Sequence, residues 1–163
     1  MRAVVQRVSS ASVSVAGQVV SQIRRGLCVL IGVSADDQEA DMDSLAKKIL
    51  SLRLFPSDDD QQWKKSVVDA DGQVLCVSQF TLYGQLYKGS KPDFHLAMKS
   101  ATSKAFYESF VSKLKTSYMA DKIQDGVFGA MMLVDIKNDG PVTIILDTRA
   151  PKDASLPWEE GFV

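Results

Sequence analysis

The stretch "VDIKNDGPVTIILDT", residues 134–148, poses the main question about the fold. Asp139 and Gly140 lie between alternating apolar residues, and an Asp-Gly pair there indicates a tight β-hairpin because glycine adopts positive φ easily. Pro141 follows at once, where the returning strand should begin. Proline donates no hydrogen bond to a sheet and is confined to edges, bulges and strand starts. The pattern therefore predicts two strands joined at 139–140, with a proline that needs an explanation.

More strands are predicted upstream of this stretch. "RAVVQRVSSASVSV" (2–15) and "QVVSQIRRG" (18–26) predict a hairpin across Ala16 and Gly17. The continuous apolar run "GLCVLIGV" (26–33) suits a strand that is covered on both faces. "SVVDADGQVLCVSQFTL" (66–82) predicts another hairpin, with Asp71-Gly72 at its tip.

Two segments have helical periodicity. Asp36 or Asp37 is expected to cap the first helix, which runs to about residue 54. Its apolar stripe consists of Met42, Leu45, Ile49 and Leu52. The second helix is predicted from about Met98 to Tyr118. Its stripe consists of Ala101, Ala105, Phe106, Phe110 and Leu114.

Strands joined mainly by hairpins, together with two helices, predict an α+β fold. We expect a mostly antiparallel sheet or barrel-like core with two main α-helices, in a single domain. The domain is predicted over residues 1–149, and residues 150–163, "APKDASLPWEEGFV", are predicted to form a C-terminal tail. Met131 and Met132 are expected to fill core space, although adjacent strand residues must point in opposite directions.

The composition restricts the possible functions. The chain has 163 residues, 24% of them charged, and a formal net charge of -1, which argues against coating a nucleic-acid backbone but not against inserting one end of a nucleic acid into a pocket. Cys28 and Cys76 lie in apolar runs and are expected to be buried free thiols. Neither a signal peptide, a membrane span nor metal-ligand spacing is apparent, so we expect a cytoplasmic protein with no metal and no cofactor.

Few residues remain that could carry chemistry. His95 is the one histidine, so a Ser-His-Asp or Cys-His mechanism would require it, but its place before a helix equally suits a capping or surface role. "SQFTLYG" (78–84) is a strand that ends in polar residues, and "NDGPVT" (138–143) is a turn. Each is ordinary alone, and the pair is far more specific.

"SQFTL" together with "NDGPVT" resembles the paired signature of the D-aminoacyl-tRNA deacylase (D-tyrosyl-tRNA(Tyr) deacylase) family. The resemblance also includes "RRGLCVLIGV", "KGSKPDFHLAM" and "FGAMMLVDIK", and covers about residues 1–147. It implies an enzyme that hydrolyses the ester bond of D-aminoacyl-tRNA and works as a homodimer, with its active sites at the subunit interface.

The resemblance also implies roles for the turn. The Gly140-Pro141 bond would be cis, and the turn would enter the partner's active site. Its main-chain carbonyl oxygens would receive the substrate's α-ammonium group and crowd the Cβ atom of an L-residue. Arg7 would brace these carbonyls. Glycine has no Cβ atom, so glycyl-tRNA should also be cleaved.

The opposite wall would be formed by Ser78, Gln79, Phe80 and Thr81, which are the residues that the resemblance makes catalytic. A backbone N–H near Phe80 would stabilise the oxyanion. The 2′-hydroxyl of the terminal adenosine would help to activate water, which makes the chemistry RNA-assisted.

Further residues would contact the CCA end of the tRNA, which is the expected partner. Met132 and Phe128 would line the adenine pocket, although core packing explains both residues equally well. Lys88, Lys91 and Lys99 are candidates for acceptor-stem phosphates, or are simply solvated lysines.

Two other functions remain open. Thr81 could be the nucleophile of an esterase or peptidase, which would act on small L-substrates but would need a neighbouring base. Alternatively, the chain could be a non-catalytic nucleic-acid-binding module, which would bind with steep salt dependence and without ester turnover.

Overall fold

The computed structural model describes residues 1–87 and 89–150. Lys88 and all of the predicted tail after Ala150 lie outside the described residues. The strands are β1 (Arg2–Val15), β2 (Gln18–Ile23), β3 (Gly26–Gly32), β4 (Gln73–Ser78), β5 (Ile123–Asp125) and β6 (Leu133–Asp147). The helices are α1 (Glu39–Ser51) and α2 (Ser100–Ser117), and short 3₁₀ turns span Phe80–Tyr83 and Ala120–Lys122.

The strands form one mixed sheet around β1. β1 pairs antiparallel with β2, β3 and β6, whereas β3–β4 and β4–β5 are parallel pairs. The sheet curls into a nearly closed barrel with the two helices. The predicted fold class is confirmed: an α+β single domain with a mainly antiparallel, barrel-like core and two main helices.

Two apolar clusters hold the sheet. The larger one joins β1 and β3 to both helices through residues such as Val29, Ile49 and Phe110. The smaller one contains Val8, Val13, Ile23, Leu75 and Val77. Both cysteines are buried free thiols, as predicted, and burial raises the pKa of Cys28 to about 11.

The predicted hairpin at Asp139-Gly140 is wrong. The chain does not reverse here. Both halves of β6 run antiparallel to β1, with Asn138 opposite Val8 and Thr143 opposite Gln6. Residues 139–142 are a bulge in one long strand. Pro141 is tolerated because the bulge makes no ladder pairs with β1, so a missing N–H costs nothing there.

The predicted hairpin at Asp71-Gly72 is also wrong, because residues 66–72 form a turn and not a strand. Ser66 donates from its N–H and its hydroxyl group to the Asp69 carboxylate at 2.9 and 2.7 Å, and Gly72 N–H donates to Val67 O at 2.8 Å. These local side-chain bonds compete with strand pairing. β4 therefore pairs with β3 in parallel. The hairpin at Ala16-Gly17 is confirmed.

Both helices form where predicted, with corrected ends and faces. α1 begins at Glu39 with Gln38 as its cap, because Asp37 instead accepts hydrogen bonds from the N-terminal ammonium group and from Ser34 N–H, both at 2.6 Å. α1 ends at Ser51, so Leu52 is its C-cap.

The buried face of α2 differs from the predicted stripe. α2 buries Tyr107, Phe110, Val111 and Leu114, while Ala101 and Ala105 are exposed. Burying the large rings turns the small alanines outward.

No helix in the described ranges has the length and hydropathy that crossing a membrane requires.

Candidate active site

The predicted catalytic residues lie at the carboxyl edge of the parallel strands β3, β4 and β5. Ser78 ends β4, and Gln79, Phe80 and Thr81 follow it directly. Since parallel strands end at the same edge, the segment after β5 reaches this edge too. In α/β folds with parallel strands, ligands commonly bind at the carboxyl ends of those strands.

Main-chain contacts with β3 position the 3₁₀ turn Phe80–Tyr83. Gln79 N–H donates to Ile31 O at 2.7 Å, and the turn ends with a bond of 2.9 Å from Gly84 N–H to Thr81 O. Gly32 allows this approach, because a Cβ atom there would lie 3.0 Å from Leu82 Cβ. The turn therefore rests directly on the end of β3.

The exposed side of the turn offers a donor and a hydroxyl group. The first hydrogen bond in the turn is from Leu82 N–H to Gln79 O, and no described residue accepts a bond from Phe80 N–H. The Phe80 side chain is 57% exposed. Thr81 Oγ1 accepts a hydrogen bond of 2.6 Å from Gln79 Nε2. The exposed residue Phe80 therefore combines a main-chain donor that has no acceptor among the described residues with a neighbouring, oriented hydroxyl group.

His95 is not positioned as a base for Thr81. Its ring Nδ1 lies 2.9 Å from Asp93 Oδ2, and its main-chain N–H donates to Oδ1 of the same carboxylate at 2.8 Å. The ring is thus held within its own exposed turn. Lys91 and Lys99 are exposed, and no group of three metal-binding side chains occurs in residues 1–87 and 89–150.

The predicted adenine-binding residues lie on the segment after β5. The Phe128 ring packs against Tyr107 with 5.7 Å between centroids. Met132 Sδ accepts a hydrogen bond from Val127 N–H at 3.4 Å and would lie 2.8 Å from a Cβ atom on Gly126. Met132 is half-buried against the smaller apolar cluster whereas Met131 is 92% exposed, so the two side chains face in opposite directions, as expected, and core packing is confirmed for Met132 and wrong for Met131.

Arg7 and the bulge at residues 139–142 form a second candidate group. The Gly140-Pro141 peptide bond is cis. Arg7 is buried, and its Nε donates to Asp139 O at 3.2 Å and lies 3.1 Å from the Asp139 carboxylate. Its Nη1 donates to Leu54 O at 2.6 Å. Arg7 thereby joins the bulge to the segment after α1.

Within one chain, the two groups of candidate residues are separated. Arg7 lies opposite Leu27 near the start of β3, while Gln79 binds Ile31 near its end. The rise from Leu27 to Ile31 alone is about 13 Å, and β1 and β6 add sideways distance. The structure brings Ser78–Thr81 together, and brings Arg7 to Gly140-Pro141, but does not join the two groups.

Two structural supports were not predicted from the sequence. Tyr107 OH donates to Asp125 Oδ1 at 2.6 Å, which links α2 to β5 behind Phe128. Phe94 packs on Phe80 with 5.0 Å between ring centroids. The only available signal for Phe94 was its place in "KGSKPDFHLAM", within the family resemblance.

Comparisons with known proteins agree with the resemblance. A family model described as D-Tyr-tRNA(Tyr) deacylase matches residues 4–147. D-aminoacyl-tRNA deacylase 1 of Mus musculus is 52% identical over 155 residues, 95% of this chain and 74% of the relative. D-aminoacyl-tRNA deacylase of Kluyveromyces lactis is 50% identical over 150 residues, 92% of this chain and 100% of the relative. A solved structure named c-Myc DNA Unwinding Element Binding Protein is 50% identical, with a TM-score of 0.87 over 90% of this chain and 98% of that one.

Proposed function

The chain belongs to the D-Tyr-tRNA(Tyr) deacylase family, and from this premise we propose that it hydrolyses D-aminoacyl-tRNA to free tRNA and a D-amino acid. It is a hydrolase of the aminoacyl-tRNA ester bond. The observation that carries the proposal is the presence of both signature groups: a free main-chain donor at Phe80, and a glycine-proline bulge braced by Arg7.

Gly140 and Pro141 form a main-chain selectivity filter. Their carbonyl oxygens receive the α-ammonium group of the substrate and leave no room for the Cβ atom of an L-residue. The support is that both residues are exposed and unpaired with β1, while Arg7 and Asn138 hold the bulge on either side. A filter made of main chain senses the configuration at Cα and is indifferent to the side chain.

Ester hydrolysis uses the Phe80 N–H as an oxyanion donor and needs no side-chain nucleophile. The Gln79 amide donates to Thr81 Oγ1, and the one histidine is engaged by Asp93, so Thr81 lacks the base that a nucleophile requires. Instead, the 2′-hydroxyl of the terminal adenosine helps to activate the attacking water, while Phe128 and Met132 line the adenine pocket.

This division of roles predicts opposite results for two changes. The Thr81→Ala variant should keep most of the activity, because the Thr81 hydroxyl group takes no part in a bond-forming step. A substrate that ends in 2′-deoxyadenosine should be hydrolysed poorly by the unchanged enzyme. Single-turnover deacylation measures both, and a Thr81→Ala variant that binds substrate but is inactive would assign the nucleophile to Thr81.

The active enzyme is a homodimer in which the bulge of one subunit completes the site of the other. The separation of the two groups along β3 supports this arrangement. The outer edge of β6 pairs with no strand of the part of the chain described, and Leu133 and Ile145 along β6 are 74% and 75% exposed. A long sheet edge with unpaired main-chain N–H and C=O groups is a template for pairing with another chain.

A deacylation assay with three substrates at matched enzyme concentration tests the function. We expect rapid hydrolysis of D-Tyr-tRNA, measurable hydrolysis of glycyl-tRNA, and almost none of L-Tyr-tRNA. Rapid cleavage of D-Tyr-tRNA without cleavage of glycyl-tRNA would contradict the proposed steric filter. Cleavage of L-Tyr-tRNA at a comparable rate would favour the esterase alternative. We expect this activity in the cytoplasm, where charged tRNAs are used in translation.

A second candidate function is a non-catalytic nucleic-acid-binding module. It is favoured by one observation, the 50% identity to the solved structure named for DNA-unwinding-element binding. This candidate requires nucleic-acid binding that weakens steeply with salt and is accompanied by no ester turnover.

A further inference from the structure

We propose that Phe94 is a positioning residue for catalysis, because its ring fixes the 3₁₀ turn Phe80–Tyr83 in the place where Phe80 N–H meets the substrate oxyanion. This inference rests on the proposed function. The ring belongs to the Phe94 segment, which we define as Asp93–Met98. It touches no reacting atom and acts through the turn.

The first contact is with the start of the turn. The Phe94 and Phe80 rings have centroids 5.0 Å apart and planes at 73°, the edge-to-face arrangement that aromatic pairs favour. Phe80 is 57% exposed, while Phe94 is half-buried. The more exposed Phe80 ring therefore packs against the more buried Phe94 ring.

The second contact is just after the end of the turn. A Cβ atom on Gly84 would lie 3.0 Å from Phe94 Cε1 and 3.0 Å from Thr81 O. The Phe94 ring thus lies directly against the main chain where the turn ends. One side chain therefore contacts residues on both sides of the turn's central peptide groups.

The Phe94 segment is itself anchored by main-chain bonds. Asp93 and Gln85 exchange a pair of hydrogen bonds of 2.9 and 2.8 Å. Ala35 N–H donates to Leu96 O, and Met98 N–H donates to Val33 O, both at 2.9 Å. The ring is therefore held from the exit of the turn and from the residues that follow β3.

These contacts matter because the other described supports hold the base and the far end of the turn, where Tyr83 is buried and the Arg2 guanidinium lies 4.7 Å from the Tyr83 ring centroid. β3 holds its base through Ile31 O, and Arg2 donates to Leu82 O at 3.1 Å. On the Phe80 side, the aromatic contact opposes rotation of the turn, together with the hydrogen bond from Gln79 Nε2 to Thr81 Oγ1. Rotation would move the Phe80 N–H, and a displacement of about 1 Å in a catalytic group can lower a rate by about 100-fold.

The test compares three substitutions at one position. We expect Phe94→Ala to lower kcat for D-Tyr-tRNA by about 10- to 100-fold while KM changes by less than about twofold, because the oxyanion donor acts in the transition state. Phe94→Tyr, which keeps the ring, should restore most of kcat, and Phe94→Leu should give an intermediate value. Tyr87→Ala is the matched control. It removes an aromatic ring that is 84% exposed and lies in the loop between Gln85 and Asp93, just before the Phe94 segment. It should leave kcat unchanged.

Amide hydrogen exchange of residues 79–84 gives a second readout that needs no turnover. Exchange there should be faster in Phe94→Ala and in Phe94→Leu than in the unchanged enzyme, and unaltered in Tyr87→Ala. A double-mutant cycle with Phe80→Ala should be non-additive, because the two rings act as one contact.

The outcomes separate this inference from the proposed function. If the unchanged enzyme hydrolyses D-Tyr-tRNA but Phe94→Ala keeps its kcat, or Phe94→Tyr is as impaired as Phe94→Ala, the positioning role is overturned and the function stands. If the unchanged enzyme shows no hydrolysis, the function fails. In either case, unaltered amide exchange at residues 79–84 in Phe94→Ala would reject the role of Phe94 in holding the turn.

Discussion

Gly140 combines two constraints that only glycine satisfies. Its φ is +126°, and a Cβ atom there would lie 2.7 Å from Val142 Cγ2 and 3.1 Å from Arg7 Nη2. The first constraint disfavours any L-side chain. The second means that Arg7 and Val142 would have to move. The residue on which the proposed filter depends is therefore also one where the structure disfavours any side chain.

Gly140→Ala should destabilise the protein and reduce its activity. Strain of about 1–3 kcal/mol is expected from the backbone, to which crowding adds. Gly17→Ala is a matched control, because φ there is +79° but nothing lies within 4 Å of an added Cβ. It should cost about 1–2 kcal/mol and leave kcat unchanged. Urea unfolding and deacylation rates measure both variants, and equal effects on kcat would argue against a role for the bulge.

The proposed oxyanion role of the Phe80 N–H can be tested by changing the backbone. Phe80→Pro removes the N–H at the first position of the turn, which proline tolerates in helices, whereas Phe80→Ala removes only the ring. Loss of one such donor typically costs about 2.7–4 kcal/mol of transition-state stabilisation. We therefore expect kcat of Phe80→Pro to lie about 100- to 1,000-fold below that of Phe80→Ala. Similar kcat values for the two variants would place the donor elsewhere.

At the scale of elements, the Tyr107–Asp125 hydrogen bond joins α2 to β5 behind the predicted adenine pocket. Burial raises the pKa of the Asp125 carboxyl group, against the hydrogen bond from Tyr107, which lowers it. A raised pKa means that the folded state favours the protonated form. This contribution to stability is complete at low pH and is lost as the pH rises through the folded-state pKa.

Asp125→Asn should therefore differ from the unchanged protein in a pH-dependent way. An amide oxygen still accepts from Tyr107 and carries no charge. Relative to the unchanged protein, the variant should gain stability between pH 4 and pH 8, as measured by urea unfolding. Tyr107→Phe removes the donor that favours the carboxylate, so it should steepen the pH dependence. A stability difference between Asp125→Asn and the unchanged protein that stays constant over this range would contradict the assignment.

At the scale of the whole molecule, the two groups of site residues lie at opposite ends of β3, which makes a shared site testable by mixing subunits. Gly140→Ala and Phe80→Pro subunits, each impaired alone, are unfolded, mixed and refolded together. If sites are shared, a mixed dimer has one site with both changes and one with neither. Random pairing should then restore about a quarter of the unchanged activity. If each chain builds its own complete site, mixing restores nothing, and co-refolded unchanged enzyme provides the recovery control.

The local features of the fold were predictable from the sequence. The period of apolar residues predicted β1, β3 and both helices, and Ala16-Gly17 predicted a true hairpin. The pairing of strands was less predictable. Asp71-Gly72 and Asp139-Gly140 have the same local signal as a hairpin, but one lies in a turn before a parallel strand and the other in a bulge.

The sequence alone therefore determined the secondary structure of most segments, the fold class and the family, because these depend on residue period and on short motifs. Only the tertiary structure decided that β6 continues past Pro141, that Phe94 packs on Phe80 and Tyr107 bonds to Asp125, and that the two motifs lie apart in one chain. The physical reason is that a turn signal describes only the chain's local bend. Whether the chain reverses depends on a distant partner, which here is the long strand β1 that pairs with both halves of β6.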